Sequence, residues 1–142
     1  LKAAEKKIAA YEARALLERV PALAASAGRA GGVAFVSDDM GTLASADDLR
    51  SLVLGVRDKL GSAPAVVALG AVIGDRPVVI VATNDAARAL GAKAGALAKG
   101  AAGVLGGGGG GRDDVAQGGG TDASKLPDAL RSVAEGLAAT GA

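Results

Sequence analysis

Residues 65–73 (AVVALGAVI), Gly74-Asp75-Arg76-Pro77, and residues 78–82 (VVIVA) decide the fold. Both apolar runs are rich in Val and Ile, which favour extended chain. The Gly and Pro between them mark a turn, so the pair reads as a β-hairpin. A strand with one wet face would alternate apolar and polar residues, whereas these two are apolar almost throughout. The hairpin therefore belongs in the middle of a sheet with both faces covered.

The flanking sequence supplies the cover. Upstream, Leu49, Leu52, Val53, Val56 and Leu60 recur at helical spacing. Ser45 or Asp47 is placed to cap that helix, and Gly61 ends it. Before it, Val33-Ala34-Phe35-Val36 reads as a strand ending in Ser37-Asp38-Asp39, after a break from Ala27 to Gly32. Residues 2 to about 25 read as a helix with Ile8, Tyr11, Ala15, Val20 and Leu23 on one stripe. It is either an amphipathic helix packed on its own domain or the end of a coiled-coil arm, and the heptad stretch is too short to decide. Downstream, Asn84 or Asp85 caps a short helical turn. Residues 93–105 read as a helix interrupted by Gly95, Gly100 and Gly103. Ser124 is placed to cap a final helix, with Pro127 in its first turn and Leu126, Leu130, Val133 and Leu137 facing inward. The expected architecture is α/β: an N-terminal helical arm over residues 1–27, then a compact globular domain over 31–142 with a small sheet packed by helices. The chain opens without Met and inside a helical pattern, so it reads as a piece of a longer polypeptide.

Composition narrows the functional classes. Half of the 142 residues are hydrophobic, enough for a core, yet Tyr11 and Phe35 are the only aromatics. The net charge is +1, so any nucleic-acid contact has to come from a local patch. There is no Cys and no His, which removes disulfides, thiol nucleophiles, the usual general base and most zinc sites. The longest apolar run, from Pro64 to Val81, is cut by Asp75-Arg76-Pro77 and does not read as a membrane span. No signal-peptide pattern is visible, and a cytoplasmic location is expected.

The functional signal lies between Gly106 and Gly120. Six glycines lead into Arg112-Asp113-Asp114-Val115-Ala116-Gln117 and then Gly118-Gly119-Gly120. A flexible linker would join domains and carry Ser padding; this stretch joins two predicted helices. A phosphate loop needs Gly-Lys-Ser/Thr after a strand, and neither the Lys nor the hydroxyl is present. A dinucleotide fingerprint needs a strand directly before it and a helix directly after. The remaining reading is a backbone surface for RNA, where glycine N–H groups approach phosphates and sugars. From Ala86 to Arg112 there are four basic residues (Arg88, Lys93, Lys99, Arg112) and no acidic one, a local electrostatic footprint.

Residues 109–120, GGGRDDVAQGGG, resemble the glycine-rich signature of the C-terminal domain of alanyl-tRNA synthetases, GGGRPDMAQAGG. Lys93-Ala94-Gly95, Thr121-Asp122, the Leu126/Leu130 helix and the valine-rich hairpin fit the same pattern. Asp113, Val115 and Gly118 depart from it. The resemblance implies a non-catalytic domain, related to the one that follows the catalytic unit in DHH-family phosphodiesterases. Such a domain grips the outer corner of tRNA and helps present it to both aminoacylation and editing. The implied RNA-binding residues are Lys93, Lys99, Gly107, Gly108, Gly109, Gly110, Gly111, Arg112, Gln117, Gly118 and Gly119. The implied partners are tRNA, upstream domains of the same chain and a possible second copy held through the helical arm. ATP and zinc would belong to the upstream domains, with no cofactor, metal or catalytic residue in this piece. Near-absence of aromatics points the same way, to recognition of folded RNA by shape, phosphate and 2′-OH, since single-strand binders stack bases on aromatic rings. Two other readings stay open: the accessory domain of a DHH-type phosphodiesterase, with Asp113 and Asp114 as metal ligands, and a dimerisation module.

Overall fold

The computed structural model describes residues 18–30, 33–43 and 45–139. The elements are α1 (Val20–Ala25), β1 (Gly28–Ala30), β2 (Val33–Thr42), α2 (Ala46–Lys59), β3 (Ala65–Ile73) and β4 (Arg76–Thr83). They continue with α3 (Asp85–Ala89), α4 (Ala94–Leu105), β5 (Gly109–Gly111), β6 (Val115–Gly119), a 3-10 turn (Ala123–Lys125) and α5 (Leu126–Ala139). The six strands form one sheet in the order β1-β2-β3-β4-β6-β5.

The β3–β4 hairpin sits at the centre, with Ile73 opposite Arg76 across a two-residue turn. Gly74 and Asp75 both have positive φ, 58° and 66°. That mirror-image turn matches the right-handed twist of the flanking strands. Successive residues point to opposite faces. Val66, Ala68, Val79 and Val81 pack under α4 and α5. Val67, Leu69, Ile80 and Ala82 pack under α1 and α2. Each side of the sheet thus has its own apolar core, as near-continuous hydrophobic runs require. β2 runs parallel to β3, a pairing that needs the long crossover α2 provides. Ser45 caps α2 by accepting the Asp48 N–H at 3.2 Å. Leu49, Leu52, Val53 and Val56 are buried and Leu60 is half-buried.

Several sequence expectations change. The strand expected at 33–36 extends to Thr42, through Ser37-Asp38-Asp39, because its far end still pairs with β3. The break at 27–32 contains β1, which pairs antiparallel with β2. Of the expected arm, residues 1–17 lie outside the described residues. Leu23 of α1 is buried against the α2 core, so this stretch packs on the globular unit. Ser124 does not cap the last helix. Asp122 does the capping, accepting the Ser124 N–H at 3.1 Å at the head of the 3-10 turn. The segment 106–120, expected as a loop between helices, is a hairpin of two strands at the sheet edge. Leu126, Leu130, Val133 and Leu137 are buried as their spacing predicts. No helix among the described residues is long and apolar enough to cross a membrane.

Candidate nucleic-acid interface

The glycine segment begins where α4 ends. Gly106 has φ 82°, and the Gly107 N–H donates back to the Ala102 carbonyl at 2.9 Å. Only a residue without Cβ adopts that left-handed cap at little cost. The chain then forms β5, turns at Arg112 to Val115, and returns as β6 against β4. The Arg112 N–H donates to the Val115 carbonyl at 3.1 Å, closing the turn.

This turn is tied down by backbone, not by carboxylate chemistry. The Asp113 carbonyl accepts the Thr83 hydroxyl at 2.5 Å and the Ala94 N–H at 3.0 Å. The Asp114 carbonyl accepts the Thr83 N–H at 2.8 Å, and its carboxylate accepts the Val115 N–H at 3.0 Å. Thr83 is fully buried, so its hydroxyl needs such a partner. These bonds hold the start of α4, and with it Lys93, beside the Arg112 turn.

The two faces of the hairpin differ. Ala116 and Gly118, with Gly109 and Gly111 opposite them, face α4. A Cβ on Gly118 would stand 2.6 Å from the Ala98 carbonyl oxygen, and one on Gly109 would stand 3.2 Å from the Ala102 Cβ. A Cβ on Gly120 would overlap the Leu105 carbonyl, and one on Gly107 the Gly119 carbonyl. From the helix side, a Cβ on Gly95 would come within 3.0 Å of the Gly111 carbonyl oxygen. Gly95, Gly109, Gly118 and Gly120 let helix and hairpin close to backbone contact, and Gly107 lets the chain leaving α4 cross Gly119. Gly108 and Gly110 have open space where a Cβ would go. On the face away from α4 lie Val115, Gln117 and Gly110. β5 is also the last strand of the sheet, so its outer edge offers unpaired main-chain groups.

Two grooves open along this hairpin. One, of about 370 Å³, is lined by Arg50, Ile80, Gly110, Gly111, Arg112 and Gln117, together with Val115 and Ala116. The other, of about 330 Å³, is lined by Arg76, Pro77 and Val78 with Gly107, Gly108, Gly119, Gly120 and Thr121. Among the described residues, neither is lined by a carboxylate. Lys93, Lys99, Arg112 and Gln117 are all exposed. Lys99 lies one helical turn beyond Gly95 on α4. Arg88, the remaining cation of the basic stretch, is taken up by the Asp85 carboxylate and the Thr83 carbonyl. Among the described residues Lys93, Lys99, Arg112, Arg50 and Arg76 form no ion pair. Arg50 and Arg76 were missed in the sequence. Arg50 reads there as an outward position of a helix and Arg76 as part of a turn; only the tertiary fold carries them to the glycine edge.

The fold defines the class: a mixed α/β domain whose sheet is packed by helices and ends in a glycine-built edge. The particular family follows from comparison. The model of the DHHA1 domain matches residues 32–139, and the chain belongs to that family. It is 62% identical over 137 residues to an alanine–tRNA ligase of Leifsonia xyli subsp. xyli, covering 96% of this chain. It is 56% identical over 138 residues to an alanine–tRNA ligase of Clavibacter michiganensis subsp. michiganensis, covering 97%. The chain spans 16% of the length of each of these curated relatives. A similar solved structure is the C-Ala domain of Aquifex aeolicus alanyl-tRNA synthetase. It has a TM-score of 0.70 and 26% identity, over 80% of this chain and 98% of that one.

Proposed function

We propose that the chain is the C-terminal domain of an alanyl-tRNA synthetase and binds the elbow of folded tRNA through the β5–β6 hairpin. On this reading it catalyses neither step itself. By holding the elbow it helps present one tRNA to aminoacylation and to editing. Those activities, with their ATP and zinc, reside in other domains of a longer cytoplasmic chain. The observation that carries the reading is the exposed glycine edge, flanked by Lys93, Lys99 and Arg112, which have no acidic partner among the described residues. The alanine–tRNA ligase relatives support the choice of tRNA as the polyanion. Gly108 and Gly110 are the glycines left free to meet RNA; Gly109 and Gly118 serve the packing of α4, and Gly107 and Gly111 the close approach of the two hairpin strands. Gly119 lines the Arg76 groove and Gln117 the Arg112 groove.

Binding of an in vitro transcribed alanine tRNA, measured by anisotropy at about 50 and 200 mM salt, tests this. Affinity should fall steeply with salt. Lys93→Ala and Arg112→Ala should each weaken binding and reduce the salt slope by about one. Equal binding to poly-pyrimidine strands, or no loss in either variant, would remove the reading. If the domain instead serves to pair two copies through its N-terminal arm, sedimentation will show a tight dimer that dissociates on removal of residues 1–25 and ignores tRNA.

A further inference from the structure

α2 packs on β3 and β4, and beyond them the sheet opens into the groove floored by Ile80, Gly110, Val115 and Gln117. Arg50 of α2 and Arg112 of the hairpin turn border it, two cations far apart in sequence that no motif joins. We infer that this groove seats the sugar-phosphate backbone of the bound RNA and that Arg50 is one of its phosphate ligands. The inference rests on the tRNA reading above and adds to it a residue and a face.

Four observations support it. Arg57, Arg88 and Arg131 each meet a carboxylate, whereas Arg50 and Arg112 meet none among the described residues. Among the described residues no acid lines the groove; the nearby Asp114 carboxylate is engaged by the Val115 N–H, and Asp114 lines a separate cleft with Arg57 and Asp58. Gly110 has no side chain, so a strand of RNA backbone can approach the main chain closely. Arg76 lies in a second groove at the other end of the same hairpin. With β6 five residues long, the two sites stand roughly 15 Å apart at ~3.3 Å per residue. Positive charge recurring along one edge fits a polyanion with a phosphate at every nucleotide better than it fits a single carboxylate. The planar fork of arginine matches phosphate oxygens two at a time.

The test uses the 142-residue chain and folded alanine tRNA, with Arg50→Ala, Arg50→Lys and, on the outer face of α5, Arg131→Ala. Arg50 is exposed, so its variants should keep the wild-type circular dichroism spectrum. Arg50→Ala should weaken binding at low salt roughly tenfold and lower the salt slope by about one. Arg50→Lys should keep the slope but recover only part of the affinity, because the charge remains and the fork is lost. Arg131→Ala should bind as wild type does. If Arg50→Ala binds tRNA as wild type does while Arg112→Ala is weakened, Arg50 is not a phosphate ligand, the RNA backbone does not cross the groove to α2, and the tRNA reading stands without this inference. A wild-type chain that ignores folded tRNA overturns both. Poly-glutamate that binds the wild-type chain and is lost in Arg50→Ala, with tRNA binding intact, would make the groove a site for acidic peptides and overturn the inference.

Discussion

Glycine does two different jobs within fifteen residues of this chain. Gly118 faces α4 so closely that a Cβ would stand 2.6 Å from the Ala98 carbonyl oxygen and 3.0 Å from the Ala102 Cβ. Neither neighbour is a flexible side-chain end, so α4 would have to move away from β6. Gly118→Ala should therefore cost about 1–3 kcal/mol, the usual range for overpacking, and lower the urea midpoint. Gly108 has open space at its Cβ position and ordinary φ. Gly108→Ala should leave stability within about 0.5 kcal/mol of wild type. Equal losses in the two variants would show that glycine acts here through chain flexibility and not through close packing.

At the scale of elements, Asn84 holds together three pieces of chain. Its Oδ1 accepts the Ala87 N–H at 2.9 Å, capping α3, and the Ala65 N–H at 3.0 Å at the start of β3. Its Nδ2 donates to the carbonyls of Ala63 and Gly61. The short helix α3 has too few internal bonds to stand alone, so its position depends on this cap. Asn84→Ala should cost about 2 kcal/mol, the upper end for loss of an N-cap. Asn84→Asp keeps the acceptors and loses the donors, so it should recover only part of that. Chemical denaturation of both variants measures this; full recovery by Asp would assign no value to the bonds to residues 61 and 63. α3 matters because the chain between β4 and the basic start of α4 runs through it.

For the whole molecule, the sheet divides one hydrophobic interior into two. Leu52 of α2 and Leu105 of α4 are fully buried on opposite faces. β3 and β4 contribute alternate side chains to both layers, so neither core survives loss of the central hairpin. Leu52→Ala and Leu105→Ala should each cost about 2–5 kcal/mol, and each variant should still unfold in one transition followed by far-UV circular dichroism. A two-step curve in either would mean that the faces melt independently. The same division gives the proposed interface its shape. α4 covers one side of the β5–β6 hairpin, α2 stops at β4 on the other, and the uncovered strip is where the arginines gather.

Most of the fold was legible in the sequence because local physics dictates it. Continuous Val and Ile runs specify buried central strands, and 3.6-residue spacing specifies α2 and α5. Asn84 and Ser45 act as caps, each one of the two candidates that the sequence left open at its helix start. The tie of Gly106 to Gly120 to one family was also readable from its residue order. The strand character of the glycines was not. Glycine has almost no β propensity of its own, so β5 and β6 exist only because β4 offers a paired edge and α4 a backing. Burial of Leu23 with the α2 core, and the arrival of Arg50 and Arg76 at the glycine edge, were equally out of reach. Those placements depend on contacts between residues far apart in the chain, and no short window of sequence contains them.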